Sequence, residues 1–257
     1  AQLGLDKPFI VQYANWVVNA AQGDLGMSYS AKKPVVDRML EALPGTVMLA
    51  GTALVFTLLY ALPAGIISAV NRNKWVDYVL RSLSFVGVSM PSFWLGLVLI
   101  YIFGLKLGLV PIATSRITPI GVILPAATLA VVIGSKYMRQ VRLVILEEME
   151  KDYVIGARAR GVSEMKILFG HILPNAVLPL ITILGVVMGW LLGGVAVVEM
   201  VFSWPGLGNM AVYAITMRDY PLIEGFVLWV ALAYMCINAL IDASYVLLDP
   251  RLKRERA

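Results

Sequence analysis

Few residues of this chain could do chemistry. One histidine, His171, and one cysteine, Cys236, stand among 257 residues. A zinc site needs several such ligands at set spacings, and a serine nucleophile needs a base beside it. His171 lies at the edge of a hydrophobic span, too shallow to activate a serine buried within one. Cys236 falls in mid-span and reads as a small core residue with no disulfide partner. No Gly-x-x-x-x-Gly-Lys-Ser/Thr loop is present, so ATP hydrolysis is not expected of this chain. The acidic residues bordering apolar runs are Glu199, Glu224 and Asp242. Asn238 precedes Asp242 by one turn on the same face, which suits a hydrogen bond between helices, and one carboxylate per depth makes a poor cation relay. Enzyme chemistry, a cofactor and a metal site are therefore not expected.

The work that remains is mechanical, and its residues lie in the polar island between Lys151 and Asn175. A helix rich in small residues reaches Gly161. A second can start at Ser163 and would place Met165, Leu168, Phe169 and Ile172 on one face. Leu173-Pro174 then opens the next apolar run, where a proline in the first turn sacrifices no internal hydrogen bond. A helix, a glycine elbow and an amphipathic helix feeding stiffly into a span can carry force. An ordinary amphipathic loop would read the same way.

The elements that position this island are set by composition. Sixty per cent of residues are hydrophobic and 14% charged, far from the balance of a soluble domain. Neither 42–70 nor 172–198 carries a charge, and each would be about 40 Å long as a helix against about 30 Å of hydrocarbon. Shorter runs at 82–105, 117–135 and 222–247 bring the reading to five transmembrane helices in an all-α polytopic membrane protein.

Lysine and arginine set the orientation. The segments 71–81, 136–171 and 249–257 carry most of them, which puts these three in the cytoplasm. The 1–43 leader, the 106–118 loop and the 203–220 loop then face outside. The expected organisation is an external leader over 1–43, a transmembrane domain over 44–248 with its cytoplasmic segment 151–175, and a basic tail over 249–257. An external leader must have been exported, so a first span preceding Ala1 is expected. The net charge of +5 reflects this topology, and the basic residues, split among loops, form no groove for nucleic acid.

Two further groups stand out. Gly185, Gly189 and Gly193 repeat every four residues, a ridge that admits another helix closely, either within this chain or from a partner subunit. Trp204-Pro205-Gly206 follows on the outer side and can be an interfacial anchor with a chain reversal.

The 151–175 island resembles the EAA loop of ABC importer permeases. That pattern asks for Glu-Ala-Ala, three residues, Gly, nine residues, then Ile, any residue and Leu-Pro. Gly161, Leu173 and Pro174 match at the required spacing, whereas the first slot reads Ile155-Gly156-Ala157 and the Ile slot holds His171. Ala157-Arg158-Ala159-Arg160-Gly161 is similar to the variant of permeases for peptides and nickel. So are the leader's Leu3–Pro8 and Gly23–Ser30, the Ser89–Trp94 run, Arg218-Asp219-Tyr220-Pro221 and the Leu248-Asp249-Pro250-Arg251 ending.

The resemblance covers nearly the whole chain and identifies it as similar to permease subunits of dipeptide, oligopeptide and nickel importers, in wording slightly nearer the nickel ones. It implies the ABC type I importer permease fold and an assembly of this chain, a second permease, two ABC ATPase subunits and an external substrate-binding protein in the membrane lipid. It implies ATPase coupling through Ala157, Arg158, Gly161, Met165, Leu168, Phe169, Leu173 and Pro174. It also implies pathway or partner packing at Gly185, Gly189 and Gly193, and external docking at Trp204, Pro205 and Gly206. The cargo would be peptides or nickel, the latter as a chelate, since the spans offer no cage for a bare ion. A secondary transporter or a structural membrane subunit without an ATPase are the rival readings.

Overall fold

The structure, a computed structural model, describes residues 8–248, without side-chain surroundings for 193–194 and 245–248. The leader residues Leu3–Lys7 and the 249–257 tail lie outside the described residues. Every regular element among the described residues is a helix, with α1 over Phe9–Ala21, α2 over Val35–Val70 and α3 over Trp75–Ser89. Then come α4 (Ser92–Leu99), which runs on as a π-helix to Lys106, α5 (Ile123–Met149) and α6 (Asp152–Ala159). The last are α7 (Glu164–Ile167), a π-turn over Leu168–Ile172, α8 (Leu173–Gly194), α9 (Ala196–Val201), α10 (Leu207–Met217) and α11 (Tyr220–Leu248).

Among the described residues, three helices are long and apolar enough to cross a membrane: α2, the continuous run from Glu164 to Leu192, and α11. A fourth crossing exists if α3 and α4 count as one, but they meet at 101°. The run read as one span over 82–105 is therefore broken. Pro91 forces the preceding residue out of the helical region, and Met90 sits at φ −80°, ψ 127°.

The run read as 117–135 also differs. Its helix begins at Ile123, and it continues through Lys136, Arg139 and Arg142 to Met149. This α5 is the central helix, packed against α2, α3, α4, α8 and α9. A helix that faces protein on most sides can be less apolar than one bathed in lipid, which is why its composition is weak by hydropathy.

Two cores lie along α2. One gathers Leu49, Ala53, Leu129, Leu191, Phe202 and Trp204, and the other Ala61, Tyr137, Val141, Ile145, Ile167 and Ile172. A smaller cluster at the start of α2 joins Val35 and Met39 to Leu207, Met210 and Leu222. The 36-residue α2, about 54 Å long, thus ties one end of the protein to the other.

Candidate functional site

The site has two poles at opposite ends of α2. The first is the arm formed by α6, α7 and the π-turn. Asp152 opens α6, where a carboxylate complements the helix dipole. The helix closes in a Schellman turn: Val162 N–H donates to the Ala157 carbonyl at 3.2 Å and Gly161 N–H to Arg158 at 2.9 Å. Gly161 takes φ 75°, the left-handed elbow that a β-carbon would strain. Arg158 then forks across the elbow onto Glu164, Nε to Oε1 at 2.7 Å and Nη2 to Oε2 at 3.0 Å. Elbow and fork hold α6 and α7 as one angled unit.

That unit is seated on the second core. Val154, Ala157, Ile167, Leu168 and Ile172 are buried, whereas Met165 and Phe169 are 64% and 61% exposed. The sequence put Leu168 and Ile172 on the same outward face as Met165 and Phe169, and the structure turns both inward. Neighbouring helical residues point about 100° apart, so Leu168 turns inward while Phe169 stays outward, and the wider winding of the π-turn over 168–172 turns Ile172 further in. Pro174, two residues on, cannot donate to the Gly170 carbonyl and crowds it, a strain that a π-turn relieves. The outward apolar surface is instead Met165 and Phe169 on this helix, with Ile155 exposed on α6. Leu173 is half-buried and Pro174 exposed at the start of α8.

The arm is also pinned to the helix before it. Tyr153 donates to Glu148 Oε2 at 2.6 Å, and Lys151 pairs with the other oxygen of that buried carboxylate. Burial, with the adjacent Glu148 carboxylate, pushes the Tyr153 hydroxyl up to about 12, so it stays protonated as a donor. Arg142 forks onto Asp77 with both bonds at 2.8 Å, and Ser68 donates to the same carboxylate at 2.6 Å. This buried junction locks α2, α3 and α5 just above the arm. Nothing in the sequence pattern announced it, because its members are far apart in the chain.

The second pole is a clasp around Trp204. The sequence offered Trp204, Pro205 and Gly206 as an external docking surface, and in the structure the segment folds inward. Trp204 is fully buried, its Nε1 donating to the Gly45 carbonyl at 2.8 Å. Gly206 is buried and Pro205 only half-exposed. The Pro205 carbonyl lies where any β-carbon on residue 45 would stand, so Gly45 is required for this approach. Glu199 closes the clasp: Thr46 Oγ1 donates to it at 2.9 Å and Asn209 N–H at 2.8 Å, which caps the start of α10 with a carboxylate. An aromatic followed by Pro-Gly signals a turn, but not that the turn folds back into its own helix bundle.

A second latch joins the leader to the start of α11. Asp219 is buried and accepts Ser28 Oγ at 2.6 Å, Ser30 Oγ at 2.7 Å and Ser30 N–H at 2.9 Å. Burial pushes its carboxyl up, but these hydrogen bonds outweigh it and hold the group at about 2. The leader turn and the Arg218-Asp219 motif are thus two halves of one contact.

The glycine ridge is resolved for two of its members. A β-carbon on Gly185 would strike Ile241, and one on Gly189 would strike Tyr234, so both admit α11 of this same chain. For these two the neighbouring helix is this chain's own α11. The surroundings of Gly193 lie outside the described residues. Asn238 and Asp242 make no interhelical hydrogen bond among the described residues, and Asp242 is exposed.

A bent, proline-broken helix bundle with an angled arm at one end and a closed clasp at the other is the architecture of an ABC type I importer permease. The chain is similar in fold to a subunit of the inward-facing MetNI methionine ABC transporter, at TM-score 0.68 and 21% identity over 82% of this chain and 96% of that one. It is likewise similar to a chain of an amino acid ABC transporter with histidines, at TM-score 0.63 and 17% identity, covering 81% of this chain and 92% of that one. The chain belongs to the family of binding-protein-dependent transport system inner membrane components, which residues 61–254 match. Its relatives include the glutathione transport system permease protein GsiC of Escherichia coli strain K12, 38% identical over 98% of this chain and 82% of that protein. The protein of the same name from Shigella boydii is 37% identical over the same shares. This is a multi-pass protein of the bacterial inner membrane, a transporter component rather than an enzyme, working with an ATPase and a substrate-binding protein.

Proposed function

We propose that this chain forms half of the translocation pathway of an ATP-driven importer, beside a second permease, with two ATPase subunits below and an external binding protein above. The arm faces the cytoplasm, as the lysine and arginine bias requires, and Met165 and Phe169 seat in a groove on the ATPase. ATP-driven closure of the ATPases pushes on the arm, and the rigid run from Glu164 to Leu192 carries that push into the membrane. The observation that carries this reading is the arm itself. Its inward face is packed, its elbow is locked by Gly161 and the Arg158–Glu164 fork, and two large apolar side chains are left in water.

The cargo is a short peptide. Relatives named for glutathione, itself a tripeptide, favour this over the nickel reading to which the motif wording leaned. No group of three His, Cys, Asp or Glu among the described residues could hold a metal ion, so nickel, if it were the cargo, would move as a chelate or along a loosely coordinating path. The test is to purify the cognate binding protein and identify what it holds. A bound short peptide supports the reading, and a nickel chelate would replace it. Failure of the permease to co-purify with any ATPase would favour a secondary transporter instead.

A further inference from the structure

Arginines at the arm end fall into two kinds. Arg72, Arg142 and Arg158 each have a carboxylate partner, on Glu150, Asp77 and Glu164. Arg81 and Arg139 have none among the described residues, and neither does Lys136 one turn from Arg139 on α5. Arg160 is unpaired too, but it lies in an exposed loop where water solvates it. Arg81 and Arg139 lie instead within helices whose outward surface is apolar: Val79, Leu83, Phe85, Val86 and Leu143 are all exposed.

The two guanidinium groups are held in place without a counter-ion. The Arg139 guanidinium lies over the Phe85 ring, 5.2 Å from its centroid, and its Nε is buried with no acceptor. The Arg81 guanidinium lies 6.0 Å from the centroid of Tyr78. Phe85 follows Arg81 by four residues, so both project from one face of α3, and Arg139 reaches that same face from α5. Trp75 and Tyr78, 75% and 56% exposed at the start of α3, have the character of an interfacial belt one to two turns away. A fixed cation at the edge of hydrocarbon is costly unless an anion meets it.

We propose that this α3–α5 face binds the phosphate of an anionic phospholipid, with the Arg81 and Arg139 forks on the headgroup and an acyl chain along Leu83, Phe85 and Val86. Guanidinium matches phosphate geometry, and basic pockets between membrane helices attract anionic headgroups. The apolar rim singles out a lipid over a soluble anion, since a free phosphate would gain nothing from it. The inference rests on the proposed seating of the arm end at the cytoplasmic surface, which fixes the leaflet that supplies the lipid.

Native mass spectrometry of the purified transporter, titrated with phosphatidylglycerol or phosphatidylcholine, tests it. The wild type should retain phosphatidylglycerol preferentially. Arg81→Gln or Arg139→Gln should each weaken that preference about fivefold, and the pair about thirtyfold. Arg139→Lys, which keeps the charge but loses the fork, should keep more of the preference than Arg139→Gln yet less than the wild type, and serves if the glutamine variant fails to assemble. Arg116→Gln, in the loop between α4 and α5, should change nothing. Equal retention of the two lipids by the wild type would overturn the proposal, as would a preference that survives the double substitution. Displacement of the lipid by equimolar inorganic phosphate would reassign the face to a free anion, and displacement by a transported peptide would reassign it to the pathway. If an impermeant thiol reagent labelled a cysteine at Asn73 from outside the cell while the lipid preference held, the orientation would fall and the lipid site would stand.

Discussion

Replacing Trp204 separates a clasp from a docking surface. The indole is fully buried, in the core with Leu49, Leu129 and Phe202, and its N–H reaches the Gly45 carbonyl. Trp204→Ala should therefore cost about 3–5 kcal/mol, the usual range for emptying a large aromatic site. For a chain of this length that is a fall in melting temperature of about 10 °C or more. Trp204→Phe keeps most of the buried area and loses the hydrogen bond, so about 1 kcal/mol and a shift of about 3 °C are expected. Thermal unfolding of the detergent-purified transporter, followed by size-exclusion with fluorescence detection, reads both shifts. Affinity for the binding protein should be unchanged in whatever fraction of the phenylalanine variant remains folded. A Trp204→Ala protein as stable as wild type, but with weakened affinity for the binding protein, would refute the burial argument and restore the docking role.

Other outcomes follow from the same geometry. Gly161→Val places a β-branched side chain in the left-handed region, a local cost of about 1–2 kcal/mol; it should leave the protein in the membrane but uncouple ATP hydrolysis from transport, and full transport by a normally expressed variant would count against the arm. Asp219, held at about 2, stabilises the fold above its unfolded value near 4 and loses that contribution as pH falls from about 4 towards 2. Asp219→Asn should thus cost about 2 kcal/mol at neutral pH, with the gap to wild type narrowing on acidification; a gap that stays constant down to pH 2.5 would contradict the latch. Single cysteines at Arg116, Asn73 and Ser163, with Cys236 replaced, should react with an impermeant reagent in intact cells only at Arg116. Reaction at Asn73 and Ser163 alone would invert the topology.

The parts of the fold carried by composition were legible from residues alone. The uncharged runs at 42–70 and 172–198 correspond to α2 and to α8 with α9, and the elbow at Gly161 follows from a glycine between two amphipathic stretches. What was hidden depends on contacts distant in sequence. Trp204 reads as an interfacial aromatic until Gly45, 159 residues earlier, is seen to receive its N–H. The glycine ridge cannot say which helix it admits until Ile241 and Tyr234 are placed against it. Ile172 was misplaced for a local reason: periodicity assumes 3.6 residues per turn, and the π-turn over 168–172 breaks that assumption just before it. The weak hydropathy of α5 misled in the same way, because hydropathy scores exposure to lipid and this helix is surrounded by protein.

On the proposed mechanism, force enters through the outward side chains of the arm. Cysteines placed singly at Met165, Phe169 and Ile167, in a chain lacking Cys236, test it in the assembled transporter. Met165 and Phe169 are exposed and Ile167, two residues from each, is fully buried on the opposite face. Cross-links are expected from positions 165 and 169 to the ATPase, with a yield that changes when ATP or a hydrolysis-blocked analogue is added, and none from position 167. Cross-links confined to this chain at positions 165 and 169, whatever the nucleotide, would contradict it.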